Sequence, residues 1–188
     1  MNKRIITNEE FCYKNKNPIV NIYFNGLLNS AITLSECWKN TSPLILDFGC
    51  NSQQLKKRLI KQKINFNYVG YDIDQKYRDT DDYTKLNPDY IFCINVLEHL
   101  GIDELQKLLH DFKNMNKNVK IITAVPGKNF LSDFLNKNVS DKMNWEHKEF
   151  QMHKSAFLQV QKILNSNCNL LKSKNYMFIQ KIQLWNFI

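Results

Sequence analysis

The sequence predicts an α/β fold: a doubly wound, mostly parallel sheet closed by a C-terminal antiparallel strand pair. Three observations lead there. Short continuous apolar runs alternate with helically spaced apolar stripes between residues 44 and 125, the pattern of parallel strands covered on both faces. The first run, Leu44 to Phe48, is followed at once by Gly49, after which Leu55, Leu59 and Ile60 form a helical stripe, so strand, glycine turn and helix make the first half of a nucleotide-binding βαβ unit. Near the C-terminus, Cys168 to Leu171 and Tyr176 to Trp185 read as two strands with a turn expected near Lys174-Asn175.

Bulk properties narrow the class. A chain of 188 residues, 43% apolar and 12% aromatic, suits one globular domain over 1–188. No apolar run approaches the roughly 20 residues of a membrane span. Met1-Asn2-Lys3-Arg4 is not followed by a signal-peptide core, and a cytoplasmic location is expected. Cys12, Cys37, Cys50, Cys93 and Cys168 are scattered without a C-x-x-C pair, which points to reduced thiols and no metal site. A net charge of +8 attracts phosphate. The lysines are spread along the chain, however, and Arg4, Arg58 and Arg78 form no block, so a nucleic-acid partner is not the favoured reading.

Taken in order, residues 1–41 read as a polar arm followed by one or two covering helices, with Ile19, Tyr23, Leu27, Leu28 and Ile32 at near-helical intervals and Gly26 interrupting them. Residues 42–127 form the core. A helix over 53–62 leads to a second strand, Phe66 to Asp72, that ends in an acid 23 positions after Gly49, near the ~20 expected between a glycine turn and a ribose-binding carboxylate. Gln75 to Asn87 is too short for a crossover helix and another strand, so the sheet is expected to be reduced at this edge. Asp89 to Asn95 is a buried strand, a helix starts near Asp103, and Val119 to Val125 is the next strand. Residues 128–153, with Phe130, Phe134, Trp145 and Phe150, suit a cover over the strand ends, and 154–188 supply a closing helix and the strand pair.

Four of these segments, in order, resemble the class I S-adenosylmethionine-dependent methyltransferases, a Rossmann-like family. They are Ile45-Leu-Asp-Phe-Gly-Cys50, Val69-Gly-Tyr-Asp-Ile-Asp74, Asp89 to Leu100 with its Val-Leu-Glu-His ending, and Ile121-Ile-Thr-Ala-Val-Pro-Gly127. Glu146-His147 before the last helix is a weaker match. The resemblance implies S-adenosyl-L-methionine as cofactor, lying across the C-terminal strand ends. Gly49 and Cys50 would line its methionine part, with Asn51 continuing the turn and Asp47 supporting it or binding through water. Asp72 would hold the ribose hydroxyls, Ile73 would pack on the adenine, and Asn95 would offer its backbone carbonyl to the methionine amino group. Asp82 or Tyr83 would stand near the adenine edge. His99 faces the cleft in this reading as a base for a hydroxyl or amine, or shapes its loop; His147 reaches the cleft from the cover, or packs there.

The family commonly has G-x-G-x-G where this chain has Gly49-Cys50-Asn51-Ser52-Gln53. Asparagine tolerates left-handed backbone better than most residues, while Gln53 brings a side chain to a place of close backbone approach. The expected function is methyl transfer to a hydroxyl or amine of a small molecule, lipid or glycan intermediate. An RNA or protein acceptor and a non-catalytic module with a degenerate site are the alternatives.

Overall fold

The computed structural model describes residues 13, 18–126 and 147–188, with side chains in the last segment from 157 onward. Helix α1 (Pro18–Ser35) is followed by strand β1 (Leu44–Phe48), helix α2 (Gln54–Lys61), strand β2 (Asn67–Tyr71) and strand β3 (Tyr90–Ile94). Helix α3 (Ile102–Met115), strand β4 (Lys120–Pro126), helix α4 (His147–Asn167), and strands β5 (Cys168–Tyr176) and β6 (Gln180–Phe187) complete it. The sheet order is β2-β1-β3-β4-β6-β5. The first four strands are parallel; β6 runs antiparallel to β4 and pairs antiparallel with β5.

Side chains alternate across this sheet, so it divides the core into two layers. Ile45, Tyr90, Phe92, Ile122 and Ile182 pack under α1 and α2, against Leu27, Leu28, Ile32, Leu55 and Leu59. Leu46, Ile91, Ile121 and Trp185 pack under α3 and α4, against Leu105, Leu109, Phe112, Val160 and Leu164. Every residue of β3 is buried, which is why its sequence is one unbroken apolar run. Three buried polar groups of β4 and β6 are paired: Trp185 Nε1 donates to Thr123 Oγ1 at 3.1 Å, and the Gln183 amide bonds reciprocally with that of Gln161 at 2.6 and 3.0 Å.

Between β2 and β3 the only regular element is a 3-10 turn, Tyr83–Lys85, so the edge beyond β2 is reduced as the sequence predicts. Two expectations need correction. The hairpin turn lies at Met177 and Phe178, both with positive φ, and not at Lys174-Asn175. β5 is an exposed edge strand, and its polar residues mimic a loop. The last helix starts at His147, so the boundary drawn at 153/154 falls inside it. His-Lys-Glu-Phe-Gln-Met-His contains no helix breaker.

One contact fixes α1 to the hairpin. A Cβ at Gly26 would lie 2.1 Å from the Tyr176 hydroxyl, which donates to the Tyr23 carbonyl at 3.1 Å. Gly26 is the interruption in the α1 stripe, and Tyr176 occupies the space it leaves.

Candidate cofactor and acceptor site

The turn after β1 is set by three positions. Gly49 has φ +79°, a conformation that favours glycine. A Cβ there would also stand 2.4 Å from Val96 Cγ2 in the segment after β3. The N–H groups of Gly49 and Cys50 both donate to the Tyr71 carbonyl, at 2.8 and 3.0 Å, anchoring the turn to the end of β2. Asn51 (φ 40°) and Gln53 (φ 55°) are left-handed as well. The backbone therefore visits the left-handed region at each position of the G-x-G-x-G pattern, although only the first is glycine.

Asp72, just past β2, closes on this turn. Its Oδ2 accepts from Asn51 N–H at 2.8 Å and its Oδ1 from Asp74 N–H at 2.9 Å. Two backbone donors fix the carboxylate, and each oxygen keeps capacity for a further donor. Ile73 beside it is 73% exposed. Across the strand ends, Asn95 is left-handed (φ 55°) and donates its N–H to Ala124 O at 2.9 Å. The Oδ1 atoms of Asn51 and Asn95 are buried and without a partner among the described residues.

Asp47 lies within the sheet beneath the turn, level with Gly70 and Phe92. It is buried, and the Tyr68 hydroxyl donates to its Oδ2 at 2.7 Å. Burial pushes its carboxyl up from 3.8 to about 7; the Tyr68 bond pulls down, while Asp72 and Asp79 add to the rise. Asp47 and Asp72 thus stand on the same side of the molecule, one under the turn and one at its rim. The Cys50 thiol also points below, bonding Tyr77 O at 3.3 Å, and burial pushes it up as well.

Gln53 turns its side chain to the connection after β2. Its Nε2 donates to Tyr77 O at 3.1 Å and to Asp79 Oδ1 at 3.0 Å, while Asp79 Oδ2 accepts from Gly70 N–H at 2.9 Å. An open pocket of about 220 Å³ adjoins this tether, lined by Asn51, Lys56, Lys57, Lys76 and Tyr77 among others. Gly49, Asp72 and Asn95 do not line it, so its size does not mark the strand-end cleft. Tyr83 joins an aromatic cluster with Phe48, Tyr71 and Phe112, and its hydroxyl donates to Asp111 at 3.0 Å; Asp82 caps the turn before it by accepting from Thr84 N–H.

After β3 the 3-10 turn Leu97–His99 exposes His99 and buries Glu98. Burial pushes the Glu98 carboxyl up from 4.5 to about 8, and its Oε2 has no partner among the described residues. Sequence alone points to the histidine as the base and gives no cue to the acid beyond their adjacency. His147 begins α4, but its side chain lies outside the described residues, as do Phe130 and Trp145. Cys12 is outside them too; Cys37, Cys50, Cys93 and Cys168 are buried free thiols. Among the described residues no group of three or more His, Cys, Asp or Glu is placed to hold a metal ion, and no helix is long and apolar enough to cross a membrane.

Comparison with solved structures agrees with this fold. Magnesium protoporphyrin IX methyltransferase (ChlM) from Synechocystis PCC 6803, solved with bound SAM, is 15% identical with a TM-score of 0.64, covering 100% of this chain and 98% of that one. The small RNA methyltransferase HEN1 (15% identity, TM-score 0.59) covers 87% of this chain and 25% of its own. CalO1, a methyltransferase in calicheamicin biosynthesis in its SAH-bound form, is 10% identical with a TM-score of 0.55 and covers 96% and 61%. At such identities the likeness shows the fold. No curated protein matches the sequence significantly. The methyltransferase-domain family matches residues 27–180, from within α1 to the start of β6. The chain belongs to that family, with the Rossmann-like architecture of the class I S-adenosylmethionine-dependent methyltransferases.

Proposed function

We propose that this protein transfers a methyl group from S-adenosyl-L-methionine to a hydroxyl or amine of a small molecule, lipid or glycan intermediate. The observation that carries the reading is Asp72, fixed by Asn51 N–H and Asp74 N–H at the strand end where a ribose is held in such folds. The unsatisfied Asn51 and Asn95 amides at the same rim fit a polar ligand, and the exposed face of Ile73 fits an adenine. When bound, the cofactor supplies an electrophilic methyl on sulfur. Asp72 would accept from the ribose hydroxyls, the Asn95 carbonyl would accept from the methionine amino group, and the Gly49-Cys50 turn would give the methionine part close approach. Asp47 holds the turn from below through Tyr68 and β2. Methyl transfer asks the protein mainly for alignment, and a base at the acceptor adds ~10²–10⁴-fold.

The test is thermal stabilisation by S-adenosylhomocysteine. A ligand at about 100 times its Kd adds ~2.7 kcal/mol. A clear rise in Tm for the wild type, absent in Asp72→Ala, supports the reading; a folded protein with no rise at millimolar ligand rejects it.

The charge of +8 and the lysines around the Asn51–Tyr77 pocket favour an RNA acceptor as the second reading. Steeply salt-dependent RNA binding would support it, and no binding at low salt would reject it.

A further inference from the structure

Polar atoms buried without partners gather at one corner of the molecule. Among the described residues, Glu98 Oε2 and Gln180 Oε1 are buried and unpartnered, and the buried Tyr23 Oη has the Gln180 amide beside it. Glu98 and Gln180 are 7% and 6% exposed. All three belong to the C-terminal rim of the parallel strands. Glu98 follows β3; Gln180 opens β6 opposite Pro126, the last residue of β4. Tyr23 lies in the first half of α1, with its ring 5.6 Å from that of Tyr176. Burial raises the Tyr23 hydroxyl, hydrogen bonding from the Gln180 amide lowers it, and Tyr176 and Glu98 add to the rise, so the groups share one environment. Leaving such atoms unsatisfied costs stability, and proteins retain them where a ligand completes them.

Resting on the methyltransferase reading above, we propose that Tyr23, Glu98 and Gln180 form the acceptor subsite, and that it takes an amine carried on an apolar body. Gln180 Oε1 can only accept, Tyr23 Oη can accept as well, and Glu98 accepts through both oxygens once a bound cation ionises it. A matching ligand must bring several donors. An ammonium brings up to three, a hydroxyl one, and a carboxylate or phosphate none. No Lys or Arg among the described residues acts on Glu98 or Tyr23, so among them nothing balances a Glu98 carboxylate, and a cationic ligand would. The Tyr23 and Tyr176 rings offer π faces to a cation.

The carboxyl also suits the proton balance. Burial raises Glu98 to about 8, so it rests as the acid and gives this proton to solvent as the ammonium binds. Its carboxylate takes one proton from the bound ammonium and frees the nitrogen lone pair. That pair forms the new N–C bond as the methyl–sulfur bond breaks, with its electrons remaining on sulfur. The product leaves as the methylated ammonium, and Glu98 gives its proton to solvent.

Matched probes test this: phenethylamine, 2-phenylethanol and phenylacetate, titrated by ligand-observed NMR with and without S-adenosylhomocysteine. Phenethylamine should bind about tenfold or more tightly than the alcohol, and the acid should not bind. Glu98→Gln should weaken the amine about tenfold or more while leaving S-adenosylhomocysteine affinity unchanged; Tyr23→Phe, which keeps the ring, should weaken it less. Equal or tighter binding of the alcohol or acid, or amine affinity unmoved by Glu98→Gln, overturns the proposal. So does displacement of the amine by Mg²⁺ at Glu98. Glu98-dependent amine binding without any binding of S-adenosylhomocysteine keeps the amine site and removes the methyl-transfer reading.

Discussion

Asn51 N–H donates to Asp72 Oδ2 at 2.8 Å, and this bond joins the turn after β1 to the acid after β2. Asp74 N–H holds the other oxygen. Asp72→Ala therefore leaves two backbone donors unpaired as well as removing the ribose partner. A stability loss of about 1–3 kcal/mol in urea unfolding is expected, together with loss of S-adenosylhomocysteine binding. Asp72→Asn retains one oxygen as an acceptor and should unfold at a higher urea concentration than the alanine variant.

Gly49→Ala meets two obstacles, φ +79° and a contact of 2.4 Å with Val96 Cγ2. Thermal unfolding should show a loss of about 2 kcal/mol or more. The double variant with Val96→Ala should recover only part of it, because the backbone conformation is still one that alanine resists. Full recovery would show that the steric contact alone matters.

Gln53 separates conformation from bonding. Gln53→Ala and Gln53→Gly lose the same bonds to Tyr77 O and Asp79, but only glycine relieves φ 55°. Urea unfolding should place the glycine variant about 1 kcal/mol above the alanine variant. Both should loosen the 74–79 connection, read as faster amide exchange at Gly70, whose N–H bonds Asp79.

Stability should depend on pH through Asp47 and Glu98. Their folded values of about 7 and about 8 lie above the ordinary 3.8 and 4.5, so the unfolded chain releases these protons first as pH rises. Their contribution is full below about pH 4 and declines up to about pH 8, by about 1.4 kcal/mol for each pH unit between a group's unfolded and folded values. Asp47→Asn keeps an oxygen for Tyr68 and should flatten the part of the decline that ends near pH 7. Urea midpoints measured across this range check it; an unchanged slope would mean that Asp47 does not hold its proton.

What the sequence made legible follows from burial and locality. β1 and β3 are buried on both faces, so their apolar runs declare themselves, and Asp72 is found by its spacing from Gly49. β5 is exposed along nearly its whole length, and its polar residues disguised the strand and displaced the turn. The tether from Gln53 to Asp79 and the meeting of Tyr23 with Gln180 link residues far apart in sequence, and no local pattern announces them. Glu98 and His99 are adjacent in sequence, and only the fold shows which of the two points inward.

The most direct measurement is a crystal structure with S-adenosylhomocysteine bound. The ribose hydroxyls should lie within hydrogen-bond distance of Asp72, with the methionine part over Gly49 and Cys50 and its amino group at the Asn95 carbonyl. A nucleoside seated instead in the Asn51–Lys56–Tyr77 pocket, with Asp72 bonded only to Asn51 and Asp74, would contradict this account.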